Sequence, residues 1–452
     1  MNLVAFSIRT KGAGNFARRL WTVFSRFGFS EAQTRRALLT VVNTLRQHNA
    51  APTFFIPAVV LGRHPSLLTE IAASGAEIGV HGYVHNDYRL LSKNAQFAQT
   101  KEAAAVFQQS RISFGGFRNP YLGWTEDSLQ VFNALGFTYD SNEAVLHEII
   151  NPDMLSVQLA NGYRKSLTLF QAIPCWAYTL RPHFEGPLLR IPTSIPDDEM
   201  LFDRLRMTDP QEVGRIWSRI MQRVYDLGGV YVLNLHPERA VLCQEAIRIL
   251  LSSAEQQMLP VWIAALRDMA AWWKERSQFQ LRITPLGTKR WQITANCTPR
   301  ATVLVRHLIV EDQASDVWFG DDLRVQGDNF TVTASRCPCV CVSAQTPREV
   351  SNFLHEQGYP TMEATPEETD GYGLFVDMPG GFAAERAERI QQCSELVERI
   401  EASATPLVRF GCWPDGKRAA LAITGDIDSV TIQDFFLRIV EVRQNSKESS
   451  KK

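Results

Sequence analysis

Up to about Lys274 the chain alternates short apolar runs with longer stretches in which apolar residues recur at helical spacing. The runs are residues 3–8 (LVAFSI), 53–58 (TFFIPA), 77–81 (EIGVH), 114–118 (FGGFR), 136–140 (GFTYD), 188–192 (LLRIP) and 230–236 (VYVLNLH). Stretches such as EAQTRRALLTVVNTLRQH and TEDSLQVFNALG lie between them. A helix between two strands lets both run in the same direction, so the pattern predicts an α/β architecture with parallel strands. Seven candidate strands suit a distorted (β/α)7 barrel. His81, Arg118, Asp140 and His236 each close one run. In a β/α barrel such strand ends share one rim, and the chemistry sits there. Polar residues also end strands because loops are wet, but four reactive types arriving together favour a site.

From about Phe279 the texture changes. FQLRITPLGTKRWQITANCTPRATVLVRHLIVED and NFTVTASRCPCVCVSAQ read as short antiparallel strands with turns. The expected division is a barrel over residues 1–275, a β-rich insert or sandwich over 276–345, and an α/β segment over 346–444. The last stretch, 445–452 (NSKESSKK), lacks apolar residues and is expected to be a disordered tail. A length of 452 residues fits two or three domains. The formal net charge of -1 argues against a nucleic-acid binder held by bulk electrostatics. No apolar segment is long enough to span a bilayer, and MNLVAFSIRTKGAGNF has no basic region ahead of a long apolar stretch. With eight irregularly spaced cysteines, this predicts a soluble cytoplasmic protein with reduced thiols.

Four motifs stand out. His81 and His85 in EIGVHGYVHNDY are four residues apart, a spacing that lets both imidazoles reach one metal ion, although surface and capping histidines show it too. In GGFRNPYLGW, Arg118 can orient a carboxylate with its rigid fork, and N–H groups after Pro120 can face a developing oxyanion. The plainer alternative is a surface turn. His236 in LNLHPERA can protonate a leaving amine, or simply bond a carbonyl. Cys337, Cys339 and Cys341 share one face of a strand; their spacing matches no usual zinc module, so they read as small buried hydrophobes.

Taken in order, APTFFIP, GAEIGVHGYVH, FRNPYLGW and LNLHPE resemble the polysaccharide deacetylase family, the NodB-homology carbohydrate esterases, over about residues 1–270. The resemblance implies a distorted β/α barrel and metal-assisted hydrolysis of N-acyl groups on sugars. By it His81 and His85 are metal ligands and Arg118 orients the catalytic base. The main chain near Tyr121 helps bind the oxyanion, and His236 is the general acid. The implied cofactor is a divalent metal such as zinc, and the implied partner is a carbohydrate-like substrate.

One departure matters. The family places paired acids at the end of its first strand, but residues 3–14 read LVAFSIRTKGAG, with Arg9, Thr10 and Lys11 where the acids belong. The missing motif resembles LAITGDIDS near the far end, which would make Asp426 and Asp428 the base and a metal ligand. Asp428 and Ser429 can also merely cap the helix that follows. Three arrangements stay open. The C-terminal strand brings its acids to the histidines, within one chain or across a homodimer; it is the stub of a second barrel; or the first domain works without metal. Against the first stands the expectation that residues 3–8 already fill the first strand slot. The functional expectation is a hydrolase acting on a C–N amide bond through a metal-bound water. The alternative is a catalytically inactive, deacetylase-like module that binds a glycan or a protein.

Overall fold

A computed structural model describes residues 27–365 and 371–449, with side chains described as far as residue 444. The fold is α/β, a curled barrel-like sheet with additional β-rich layers. The sheet's strands, in chain order, begin with β1 (Thr53–Ile56), β2 (Glu77–Val80), β3 (Gly116–Phe117), β4 (Tyr139–Asp140), β5 (Ala144–Leu146) and β6 (Ile173–Pro174). They continue with β7 (His183–Glu185), β8 (Leu188–Arg190), β9 (Thr193–Ile195), β10 (Val230–Leu235) and β11 (Val261–Ile263). Every pairing among them is parallel except the β7–β8 hairpin. Helix α1 (Ala32–Arg46) precedes β1, and helices α2 (Lys93–Gln109), α3 (Pro210–Leu227) and α4 (Ala240–Glu255) lie between strands. On α3, Val213, Ile216, Trp217, Ile220, Met221 and Val224 are buried at three- and four-residue steps, the stripe that a sheet-covering helix needs.

Two antiparallel sheets follow the barrel. One orders β12 (Gln280–Gly287), β13 (Arg290–Asn296), β18 (Asn329–Thr333) and β15 (Ile309–Val310). The other orders β16 (Ser315–Phe319), β17 (Asp322–Val325), β14 (Val303–Arg306) and β22 (Leu407–Phe410). Ile293, Val305, Phe330 and Phe410 share one core with Trp272, Trp273 and the barrel's Val232 and Ala422, so these layers are packed onto the barrel. A third sheet orders β20 (Thr361–Ala364), β19 (Cys337–Ser343) and β21 (Tyr372–Val376), covered by α5 (Arg348–Glu356) and α6 (Arg386–Glu401).

The cysteine-bearing strand is a correction. CPCVCVS pairs parallel with both neighbours rather than antiparallel. The reason is α5, which carries the chain from β19 back to the start of β20 and makes the two strands run the same way.

The strand slot beside β1 is the second correction. It is filled by β23 (Ala419–Asp426), which lies between β10 and β1 and also pairs with β11. Residues 3–8, expected in that slot, lie outside the described residues, as do Arg9, Thr10 and Lys11. All eight residues of β23 are buried. Its small side chains suit a strand covered on both faces. At Gly425 a Cβ would come within 3.1 Å of the Phe54 ring and 3.2 Å of Pro237. Helix α7 (Ile432–Ser449) follows, so residues 445–449 of the expected tail continue a helix. Lys447 and Glu448 are good helix formers that can extend an existing helix without apolar contacts. No helix of the described residues is long and apolar enough to cross a membrane.

Candidate metal and acid–base site

β23 ends in Asp426, and Asp428 follows two residues later at the rim where β1 and β2 also end. The Asp428 carboxylate therefore meets the early histidines inside a single chain. Its Oδ1 lies 3.1 Å from His85 Nε2 and 3.6 Å from His81 Nε2. His81 Nδ1 is 2.7 Å from the Arg118 carbonyl, which can only accept. The ring proton is thereby fixed on Nδ1, and the Nε2 lone pair faces Asp428.

Two imidazole nitrogens and one carboxylate oxygen thus lie within 4.8 Å of one another. Asp428 Oδ1 and His85 Nδ1 are buried without a well-aligned hydrogen-bond partner. A buried carboxylate oxygen left without a donor is costly. A divalent cation would satisfy it together with both imidazoles, so the residues present fit a three-ligand site with open positions. Burial keeps the His85 pKa below its ordinary value despite the attraction of Asp428, which leaves the ring in its ligating, neutral form. Burial also opposes the charge of Asp428, but its neighbours, Arg438 among them, outweigh it and hold the carboxyl well below its usual range. Arg438, from α7, donates through Nη1 to Asp428 Oδ2 at 2.6 Å.

Asp426 is held from two sides. Asn234 Nδ2 donates to its Oδ2 at 2.8 Å, and Arg118 Nη1 to its Oδ1 at 3.2 Å. Arg118 is fully buried and fixed by Asn234 Oδ1, Thr424 Oγ1 and the Ser141 carbonyl at 2.7, 2.8 and 3.0 Å. Its guanidinium lies over the Phe55 ring. A planar fork with that many fixed partners cannot follow a moving carboxylate, so Asp426 is locked in place.

Tyr121 occupies the turn Pro120–Leu122 with φ 60° and ψ 16°, a left-handed conformation unusual for a tyrosine. The turn sets the Tyr121 ring edge-on to His85, with centroids 4.7 Å apart. Its main chain is brought to the same rim.

His236 follows β10, the neighbour of β23. Its Nδ1 lies 2.7 Å from Asp198 Oδ1, and its backbone N–H donates to Asp198 Oδ2, also at 2.7 Å. Burial disfavours the imidazolium, but the Asp198 carboxylate outweighs it and raises the His236 pKa well above 6.5. Replacing Asp198 with Asn removes that compensation and leaves the burial. The His236 titration, followed by imidazole NMR shifts, is then expected to fall below 6.5. An unchanged midpoint would show that Asp198 does not set it.

Asp140 belongs elsewhere. It is buried against Arg190 Nε at 2.7 Å and accepts from Asn142 Nδ2, a structural ion pair beneath the rim. The sequence reading passed over Asp198, Asn234, Thr424 and Arg438. Asn234 and Thr424 carried a usable signal: each stands two residues before a marked position, His236 or Asp426, hence on the same strand face. Arg438 carried none, being one charge on an amphipathic helix.

Residues 33–139 match the family model described as polysaccharide deacetylase. The match includes His81, His85 and Arg118 and ends long before Asp426. No curated protein matches the chain in sequence. Among solved structures, one assigned as a polysaccharide deacetylase from Mycobacterium smegmatis is 20% identical, over 59% of this chain and 86% of its own, with a TM-score of 0.41. The Puue allantoinase is 16% identical over 52% and 72%, at 0.40. A CE4 family pseudoenzyme from Bacillus anthracis is 14% identical over 52% and 61%, at 0.33.

Proposed function

With a polysaccharide deacetylase segment at residues 33–139 on a barrel-like α/β sheet, we propose that this chain is a hydrolase that removes an acyl group from an amide nitrogen of a carbohydrate-like substrate. One observation carries the reading: Asp428, two residues after the last strand of the sheet, stands 3.1 Å from His85 and 3.6 Å from His81 with an oxygen that has no donor. His81, His85 and Asp428 would hold a divalent ion, which supplies Lewis acidity by lowering the pKa of water and polarising the acyl oxygen. Asp426 takes the proton of the attacking water, and Arg118 and Asn234 keep it aimed. His236, charged through its pairing with Asp198, returns a proton to the departing amine. The main chain at Tyr121 faces the oxygen on which negative charge develops. Eight cysteines and no membrane-spanning helix among the described residues suit a cytoplasmic address and a soluble sugar precursor as substrate.

Arg438 favours a second reading. Its guanidinium already neutralises one oxygen of Asp428, so the cluster is partly charge-balanced without a metal. On that reading the barrel is an inactive module that binds a glycan or a partner protein. Metal content separates the two. The protein purified from zinc-containing medium is expected to carry about one zinc per chain, and the His81→Ala, His85→Ala double variant close to none. Near-zero zinc in both, with no release of acetate from N-acetyl sugars but saturable glycan binding, selects the module.

A further inference from the structure

At the seam between the barrel and the third sheet lies a cleft of about 590 Å³, away from the His81–Asp428 rim. Clefts of roughly 300–1,000 Å³ at the junction of two structural layers are where small ligands bind. Two helical faces and a hairpin form its walls. Glu349, Phe353 and Glu356 stand at four- and three-residue steps on one face of α5, and Arg389 and Cys393 stand four apart on α6. Opposite them is Phe184 of the β7–β8 hairpin. Faces that served only to glue the layers together would be apolar and shut. These carry carboxylates and leave space.

The chemistry of the walls is specific. Phe353 and Phe382 meet edge-on with centroids 5.5 Å apart, and Tyr178 stands 5.8 Å from His183. Glu349 Oε1 accepts from the Phe382 N–H at 2.9 Å. Glu356 Oε1 accepts from the Phe184 N–H and the Trp273 indole, both at 3.0 Å. Both carboxylates are thus fixed by neutral donors, and neither forms an ion pair with a described residue. Glu185 on the same wall differs, being paired with Arg386 and Arg190 at 2.8 and 3.3 Å. Burial pushes the Glu356 carboxyl up, the direction that a bound cation reverses. We propose that this cleft binds a small organic ammonium ion with an apolar body, its charge against Glu349 and Glu356 and its body among the Phe184, Phe353 and Phe382 rings. Ring faces and carboxylates together recognise an amine cation, and Glu349 and Glu356 outnumber Arg389, the one arginine on the walls, so an anion is disfavoured.

The test is calorimetric titration of the full chain with three probes of similar shape: 2-phenylethylammonium, 2-phenylethanol and 3-phenylpropionate. The ammonium ion is expected to bind saturably and at least about tenfold more tightly than the alcohol, with no binding of the carboxylate. The Glu349→Gln, Glu356→Gln double variant keeps the hydrogen bonds and is expected to lose the preference. Phe382→Ala, should that variant not fold, is expected to weaken all binding. His81→Ala is expected to leave the titration unchanged, which separates this site from the proposed deacetylase centre. No saturable heat from the ammonium ion up to about 10 mM, equal binding of the alcohol, or a preference that survives in the double variant each overturns the proposal.

Discussion

A chain ending at Arg418 is expected not to fold: it should be recovered as aggregate, or as a soluble species without a cooperative thermal transition. The truncation removes β23, which is a central strand and not an appendage. Leu421, Ile423, Ile427 and Val430 are each almost fully buried, and burying such a side chain contributes about 1.5–3 kcal/mol. Four of them alone approach the whole stability of a typical domain, about 5–15 kcal/mol. The loss also opens two ladders at once. Residues 230–235 pair with 420–425 on one side, and 53–55 with 424–426 on the other. Their N–H and C=O groups would face a gap in the core, where water satisfies them poorly. Helix α7 goes too, and with it the grip of Asp434 on Arg63 and His64 at 2.7 and 2.8 Å. A chain ending at residue 444 keeps all these contacts and serves as the control. Circular dichroism and size exclusion read the outcome; a monomeric, cooperatively melting truncation would mean that another segment can take the slot.

How much of this was legible beforehand depended on whether a signal was local. The apolar runs at 53–58, 77–81, 114–118, 136–140, 188–192 and 230–236 coincide with parallel strands because buried strands need continuous apolar stretches, a property of neighbouring residues. β5, β6, β7, β9 and β11 were missed: each is two or three residues long, and unlike the equally short β3 and β4 none of them lies in one of the marked apolar runs. His81, Arg118 and His236 were marked by their positions at strand ends, as was Asp140, which serves an ion pair elsewhere, and His85 was marked by its spacing from His81. That Asp428 joins the histidines could be suspected from LAITGDIDS but not deduced, because sequence distance says nothing about which strand fills a slot. The slot was settled by geometry, with three neighbours in register with one alanine-rich strand. Asp198 lay hidden in PDDEM as an ordinary acidic pair, and only the folded chain sets it against His236.

The two aspartates at the end of β23, Asp426 and Asp428, should fail in different ways when each is changed alone. Asp426→Asn is expected to reduce turnover of an N-acetyl sugar by about 10²- to 10⁴-fold, the loss typical of removing a positioned acid–base group, while zinc content stays at the wild-type level. Asp426 lies on the Arg118–Asn234 side, and the cluster of converging ligand atoms contains His81, His85 and Asp428 without it. The variant should also stay folded. Arg118 keeps its bonds to Asn234, Thr424 and Ser141, and the amide oxygen of the new side chain can still accept from Asn234 Nδ2. Asp428→Ala is expected to remove both turnover and zinc, since it takes away the oxygen that faces the two imidazoles and leaves Arg438 beside them with its charge unopposed. Adding excess zinc should restore part of the turnover of Asp428→Ala and none of that of Asp426→Asn, because mass action refills a weakened site but cannot replace a proton acceptor. Zinc lost from Asp426→Asn and kept by Asp428→Ala would exchange the two roles. Turnover unaffected by either change would remove β23 from the chemistry and leave it a purely structural strand.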